Sequence, residues 1–303
     1  MELRHLRYFL AVADTRSFTR AADKLNVTQP TLSHQIKQLE QLIGTTLFER
    51  SARDVELTAA GRLFRPYCER ILKEIESSAL ALSELEGLMR GTLHMGVFHS
   101  FSNSLLPPIL AEFTERHPGV HVVARLVPRS DMERDLLSGA LDFAVAYLSE
   151  DTEHIVNERL FEEALVLVVG ARHSLAARKS VRMRELARLP LVSLSQEFGA
   201  RQFVDRFFAA EGLQPHIVLE MNAIEPILST IRNSELACVL SAGAIVDAKG
   251  LRAIKLVDPQ PQRTVGILWR RHGHRSAAAQ RMADMIRAAY GRKEQGVRGV
   301  SRE

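Results

Sequence analysis

Residues 28 to 41 gather Thr28, Gln29, Pro30, Thr31, Ser33, His34, Lys37 and Gln41 around an apolar stripe of Leu32, Ile36, Leu39 and Ile43. The stripe recurs at steps of four, three and four, a helical period. At 100° per residue from Leu32, the positions opposite it are Pro30, His34, Lys37 and Gln41, with Ser33 on the flank. Gln29, Ser33 and His34 are short or planar hydrogen-bonders that match the donors and acceptors on base edges, and Lys37 suits a phosphate. Exposed amides at a helix start bind phosphate as well. Spacing alone also fits a plain helical hairpin with a polar outer face.

Three other strings carry polar groups beside apolar runs. FHSFSNSLLPP holds Ser100 and Ser102, LVPRSDM holds Arg129 and Ser130, and SLSQEFGARQF holds Phe198, Gly199 and Arg201. Hydroxyls and helix-start amides donate hydrogen bonds and arginine adds charge in a fixed fork, so the set suits a small anion. Each residue taken alone reads as a surface group or a cap, and only the set points to a pocket. Enzyme chemistry is not indicated. His99 and Ser100, as strand neighbours, would face opposite ways, and no G-x-S-x-G elbow, phosphate loop or metal motif occurs in the chain. No metal or cofactor is expected. Cys68 and Cys238 fit small buried hydrophobes, with a redox sensor built on them as the alternative reading.

The polar run needs a scaffold, and the flanking residues supply one. Ser17 stands where an N-cap belongs, ahead of FTRAADKL with Phe18, Ala21, Ala22 and Leu25 at helical spacing. Asn26 ends that pattern in a residue that tolerates the left-handed conformation. Thr28 is a second N-cap, Pro30 lies in the first turn where a missing N–H costs nothing, and Gly44 is the stop. Two helices joined so briefly make a helix-turn-helix, whose second helix enters a major groove with its N-terminus leading. LFERSARDVELT then holds two β-like runs, Leu47–Arg50 and Val55–Thr58, around a polar tip. A hairpin there forms a wing, adding Arg50 and Arg53 to the DNA contacts.

From Thr58, a further N-cap, the chain runs helically to Met89. Phe64, Tyr67, Ile71, Ile75, Ser78, Leu82, Leu85 and Met89 step by three and four, close to a heptad seam. We expect a dimerising helix, because two recognition helices on a symmetric site need a two-fold partner; a helix packed on its own domain is the alternative. Beyond residue 90, strand-like runs (Leu93–Val97, Val120–Leu126, Phe143–Tyr147, Ala164–Val169, Leu191–Leu194, Ile217–Glu220, Ala237–Leu240, Thr264–Trp269) alternate with helical patterns. The helical patterns are Leu105–Arg116, Met132–Ser138, Arg201–Glu211, Ile224–Arg232 and Ser276–Tyr290. That alternation indicates α/β lobes with largely parallel sheets, and ligands of such lobes sit at strand carboxyl ends.

FLAVADTRSFTRAADKLNVTQPTLSHQIKQLEQLIGTTLFERSARDVELTAAG resembles the winged helix-turn-helix of the LysR-type transcriptional regulators, with SFTRAA, TQPTLSHQI, LEQLIGTTLFER and LTAAG in the family's order and spacing. The resemblance covers essentially the whole chain. It implies a multidomain protein: an all-α-rich winged helix-turn-helix at 1–58, a long dimerising linker helix at 59–90, and a two-lobed α/β effector domain like the periplasmic solute-binding proteins at 91–303. The chain is then expected to pass between the lobes twice, near Leu160–Ala164 and Pro261–Thr264, which makes lobe I 91–161 with 265–303 and lobe II 162–264. The resemblance also implies double-stranded promoter DNA as partner, a homodimer or homotetramer, and Ser100 at an effector; RNA polymerase is a candidate partner. Within the family, LSQEFGARQ, AAEGLQPHIVLEMNAI and LWRR resemble the cyanate-operon regulator subgroup most. In RNSELACVLSAGA, Ser234 and Ser241 stand where many members carry other residues, so effector contacts are not carried over there.

The bulk numbers set bounds. The chain of 303 residues suits two or three domains. Its net charge of +4 is not by itself a nucleic-acid signal: from Arg263 onward ten Lys/Arg face three Asp/Glu, leaving the remainder near −3. That excess reads as a solvated helix face and tail. MELRHLRYF lacks an apolar core and a cleavage site, and no run of about 18 apolar residues occurs. A cytoplasmic protein without membrane contact is expected.

Overall fold

The computed structural model describes residues 1–50, 55–85, 89–149, 152–245 and 249–300. They fall into two compact units, Met1–Leu88 with Leu137–Ala140, and the rest. The first unit contains α1 (Leu3–Thr15), α2 (Phe18–Leu25), α3 (Gln29–Ile43), β1 (Phe48–Arg50), β2 (Val55–Leu57) and α4 (Ala59–Leu85). The expected caps are in place and remove otherwise unpaired helix-start donors: Ser17 Oγ accepts from the Arg20 amide at 3.3 Å, and Thr58 Oγ1 from the Gly61 amide at 2.9 Å. Asn26 and Gly44 end α2 and α3 in the left-handed conformation, with φ of 54° and 79°.

One core joins these elements. Leu6, Phe9 and Val12 of α1 pack with Ala21 and Ala22 of α2, Leu32, Ile36 and Leu39 of α3, and Leu47 and Phe48 of the wing. Phe48 lies between Phe9 and Phe18, with ring centroids 5.3 and 5.9 Å away. The Glu40 carboxylate accepts from the Leu47 and Phe48 amides at 2.8 and 3.3 Å, tying α3 to the wing. Gly61 is required where α4 begins, since a Cβ there would stand 2.2 Å from the Leu47 carbonyl oxygen.

The second unit runs β3 (Gly91–Val97), α5 (His99–Ser104), α6 (Leu106–Arg116), β4 (Val120–Leu126), α7 (Arg129–Ser138), β5 (Phe143–Tyr147), β6 (Ile155–Gly170), β7 (Ser180–Arg182), α8 (Met183–Leu186), β8 (Leu191–Leu194), α9 (Gly199–Ala210), β9 (Ile217–Met221), α10 (Ile224–Arg232), β10 (Ala237–Ser241), a 3-10 turn at Ala242–Ala244, β11 (Leu251–Val257), β12 (Gln262–Arg270) and α11 (Ala277–Val300). Strand order is β4-β3-β5-β12-β6-β10-β8-β9, with β11 and β7 paired off β6. In lobe I, β4, β3 and β5 are parallel, while β12 runs antiparallel to β5 and β6. In lobe II, β10, β8 and β9 are parallel, and β10 and β11 flank β6 antiparallel.

The sixteen-residue β6 belongs to both lobes. Its residues up to Ala164 pair with β12, and those from Leu165 onward pair with β10 and β11. The second passage lies beside it, where the Leu165 amide donates to the Pro261 carbonyl at 3.0 Å just before β12 starts. The first passage is thus made within a continuous strand, which changes partners between Ala164 and Leu165. Helices α6 and α11 pack on one face of the lobe I sheet through Ile109, Phe113, Met282 and Ile286, and α7 packs on the other through Met132 and Leu136. In lobe II, Val204 and Phe208 of α9 and Ile227 and Ile231 of α10 cover the two faces.

Candidate functional sites

On α3, Gln29, Pro30, Thr31, His34 and Lys37 are exposed beside the capping Thr28, while Ser33 is half-buried. The Thr28 hydroxyl lies 2.8 Å from that of Thr31 and 3.4 Å from its amide. Leu32, Ile36 and Leu39 are fully buried on the other side and fix the rotation of the helix. The side-chain array at its N-terminal half is therefore presented to water. Arg53 lies outside the described residues, as do the side chains of Arg50 and Leu85.

On α4 the apolar residues split into two faces. Phe64, expected in the seam, turns inward and packs edge-on against Phe9 at 5.2 Å. Leu63, Tyr67, Ile71, Ile75 and Leu82 are exposed, with Leu63 and Leu82 at 68% and 67%. The exposed apolar stripe thus starts at Leu63, one residue before Phe64, because α4 must first close the core of the helix-turn-helix.

Between the two lobes is a cavity of about 720 Å³. Its walls come from the ends of β3, β4, β5, β8 and β10, the starts of α7, α9 and α10, and the first residues of β12. The apolar wall includes Phe98, Leu126, Met132, Leu194, Phe203 and Leu240. Ser100, Tyr147, Ser241 and Arg263 of its wall join Glu163, which stands outside the lining, in a buried network. Tyr147 Oη donates to Glu163 Oε2 at 2.5 Å and lies 3.0 Å from Ser100 Oγ and 2.9 Å from Ser241 Oγ. Ser100 Oγ also reaches Glu163 Oε2 at 3.4 Å. Arg263 Nη2 donates to Ser241 Oγ at 3.1 Å, and its guanidinium carbon lies 3.3 Å from the Tyr147 ring centroid and 4.8 Å from that of Phe203. Burial holds the Arg263 pKa below its ordinary value and pushes the Tyr147 phenol well above its own.

The sequence-derived residues distribute unevenly over this site. Ser100, Arg129, Phe198 and Gly199 line the cavity; Ser102, Ser130 and Arg201 do not. Arg201 is buried instead in a structural cluster, donating to Asp205 at 2.8 Å, Glu220 at 2.7 Å and the Leu194 carbonyl at 2.8 Å. Ser102 pairs with neighbouring Asn103, and Ser130 is exposed. Arg129 reaches the cavity with its fork committed to Glu133 at 2.9 Å, Ser149 at 2.7 Å and the Tyr147 carbonyl. Sequence reasoning missed Tyr147, Glu163, Ser241 and Arg263, although Ser241 was marked as a departure and Arg263 opens the run that precedes Trp269. His99 and Ser100 stand at a helix start rather than on a strand.

Cys68 and Cys238 are buried, and burial pushes each thiol up to about 12. The reactive thiolate is thereby suppressed in both. Among the described residues no helix is long and apolar enough to cross a membrane.

Comparison with known proteins matches both regions. Residues 3–62 fit the bacterial regulatory helix-turn-helix protein, lysR family, and residues 86–291 fit the LysR substrate binding domain. The HTH-type transcriptional regulator AlsR of Bacillus subtilis is 35% identical over 236 residues, covering 76% of this chain and 77% of that protein. A full-length OxyR variant from Pseudomonas aeruginosa superposes with a TM-score of 0.73 at 24% identity, covering 96% of this chain and 94% of that one. Full-length CbnR complexed with its target DNA superposes with a TM-score of 0.69 at 23% identity, covering 95% and 100%. Helix-turn-helix, long helix and two-lobed α/β unit follow one another here as they do in these relatives, and the chain belongs to the LysR family of DNA-binding transcriptional regulators with an effector-binding domain.

Proposed function

We propose that this regulator reads promoter DNA through α3, pairs with a second copy through α4, and responds to a small anionic effector held between the lobes of residues 91–303. The observation that carries the DNA reading is the exposed array of Gln29, Thr31, His34 and Lys37, set on a helix whose opposite face is fully buried. Gln29 and Ser33 take base edges, while Lys37, Arg50 and Arg53 take phosphates. Residues 1–58 act as the DNA-binding domain and 59–90 as the pairing helix. Exposed Leu63, Tyr67, Ile71, Ile75 and Leu82 support that pairing, because an apolar stripe of this length gains by burial against its own copy. The protein works in the cytoplasm as a dimer or tetramer, with RNA polymerase as a further contact on the promoter.

Footprinting on the DNA upstream of its own gene tests the reading. Protection of two half-sites about one helical turn apart or a multiple of it is expected, and loss of that protection in a Gln29→Ala, Ser33→Ala double variant. Uniform binding without a footprint would remove α3 as the reader.

A further inference from the structure

Arg263 is only 7% exposed, and a buried guanidinium is costly unless paired and hydrogen-bonded. Among the described residues the one hydrogen bond of its side chain goes to Ser241, its faces meet the Tyr147 and Phe203 rings, and its Nε is buried without a partner. The Glu163 charge favours the guanidinium at a distance but makes no hydrogen bond to it, since Glu163 Oε2 accepts from Tyr147 and Ser100. The other arginines named for the site are spoken for: Arg129 by Glu133, Arg201 by Asp205 and Glu220. Arg206, also in the wall, is exposed to water, so Arg263 is the buried wall cation with donor capacity left over.

We propose that the effector is a monocarboxylate with an apolar body, its carboxylate anchored by Arg263 and its body lying along the Phe98, Leu126, Met132, Leu194 and Leu240 wall. This rests on the reading of the inter-lobe cavity as the effector site. Size supports the class. A water molecule takes about 30 Å³ of liquid, so a three-atom anion such as cyanate leaves most of the 720 Å³ empty. The apolar walls would gain nothing from it, whereas they gain from each methylene of a longer chain. An amino acid fits less well. Its ammonium would need an acid in the wall, where Glu163 takes no part and Glu197 is exposed to water. The anchor also explains how binding reaches both lobes. Arg263 stands on β12 beside the second passage, stacks on Tyr147 of lobe I and Phe203 of lobe II, and bonds Ser241 of lobe II. A carboxylate on its guanidinium would compete with or reinforce those contacts, favouring one lobe arrangement by its differential affinity.

Calorimetry on the full-length protein decides it, using acetate, butanoate, hexanoate and octanoate, the alcohols of equal length, norleucine and cyanate. Affinity should rise about fourfold per added methylene, and each carboxylate should bind tighter than its alcohol. Hexanoate should bind tighter than norleucine, and octanoate far tighter than cyanate. Arg263→Gln should weaken octanoate binding about 10- to 150-fold, with a thermal melt checking that the variant is folded; if it is not, the wild-type series alone decides. A flat chain-length series, cyanate or norleucine binding as tightly as its carboxylate rival, or unchanged octanoate binding in folded Arg263→Gln overturns the proposal. So does the absence of carboxylate binding. In that case, a wild-type protein still stabilised against heat by the small-molecule fraction of a cell extract keeps its effector site and loses only this class.

Discussion

The polar groups of α3 and those of the inter-lobe cavity are held under opposite conditions. Gln29, His34 and Lys37 stand in water, which satisfies their donors and acceptors until a partner displaces it. Each can be altered with little consequence for the fold. Ser100, Tyr147, Glu163, Ser241 and Arg263 are packed into one network away from bulk water, so each depends on the others for its hydrogen bonds. A site built from exposed side chains separates function from stability; a buried one couples them. The exposed stripe of α4 is a third case, where apolar side chains in water incur a cost that burial would relieve.

The contrast is open to test at each of these places. The largest effect is expected on α4. Ile71→Asp would place an unpaired charge in the interface between copies, costing about 3–5 kcal/mol, and light scattering should show the protein dissociated at concentrations where wild type is paired. A variant that remains paired would move the interface elsewhere. Next comes the buried network. Tyr147→Phe removes the hydroxyl that joins Ser100, Glu163 and Ser241 and should cost about 1–3 kcal/mol of stability in a denaturant titration. Gln29→Ala or His34→Ala in the same titration should stay within about 0.5 kcal/mol. Equal losses at both places would erase the distinction between the regions. Smaller again, Lys37→Ala should weaken specific and random duplexes alike and reduce the salt slope by about one unit. The cysteines should give the smallest effect. With thiols pushed up to about 12, both should alkylate slowly in the folded protein at neutral pH, and mild peroxide should leave DNA affinity unchanged. Rapid labelling accompanied by altered DNA binding would reopen the redox reading.

The sequence made the two regions legible to different degrees, for the same physical reason. α2 and α3 announce themselves through local rules: a cap at Ser17 or Thr28, a left-handed stop at Asn26 or Gly44, and a stripe of period 3.6. α1 obeys the same rule through Leu6, Phe9 and Val12, yet is not among the expected helices, having only Glu2 and no serine or threonine at its N-cap to mark it. Phe64 packs against Phe9, a contact the heptad count does not give, because such a count cannot tell which core the first turn of a helix must serve. Strands such as Val120–Leu126 and Phe143–Tyr147 were readable as apolar runs. The first half of β6 was not, since Asn157, Glu158, Arg159, Glu162 and Glu163 interrupt the apolar pattern there. The cavity network draws on β5, β6, β10 and β12, so its members are distant in sequence and meet only when the sheets form. Arg129 and Arg201 had the right charge and position beside helix starts, but local acids claim them. Arg263 looked like the opening of a basic tail and proved to be buried.

If α3 reads bases while the cavity carries the response, a paired titration should separate the two roles. Gln29→Ala and Ser100→Ala are each titrated against the operator duplex and a random duplex, without effector. Gln29→Ala should lose about 1–3 kcal/mol on the operator and little on random DNA, and Ser100→Ala should match wild type on both. Equal losses of Gln29→Ala on the two duplexes, or a Ser100→Ala loss on the operator as large as that of Gln29→Ala, would end this division of labour.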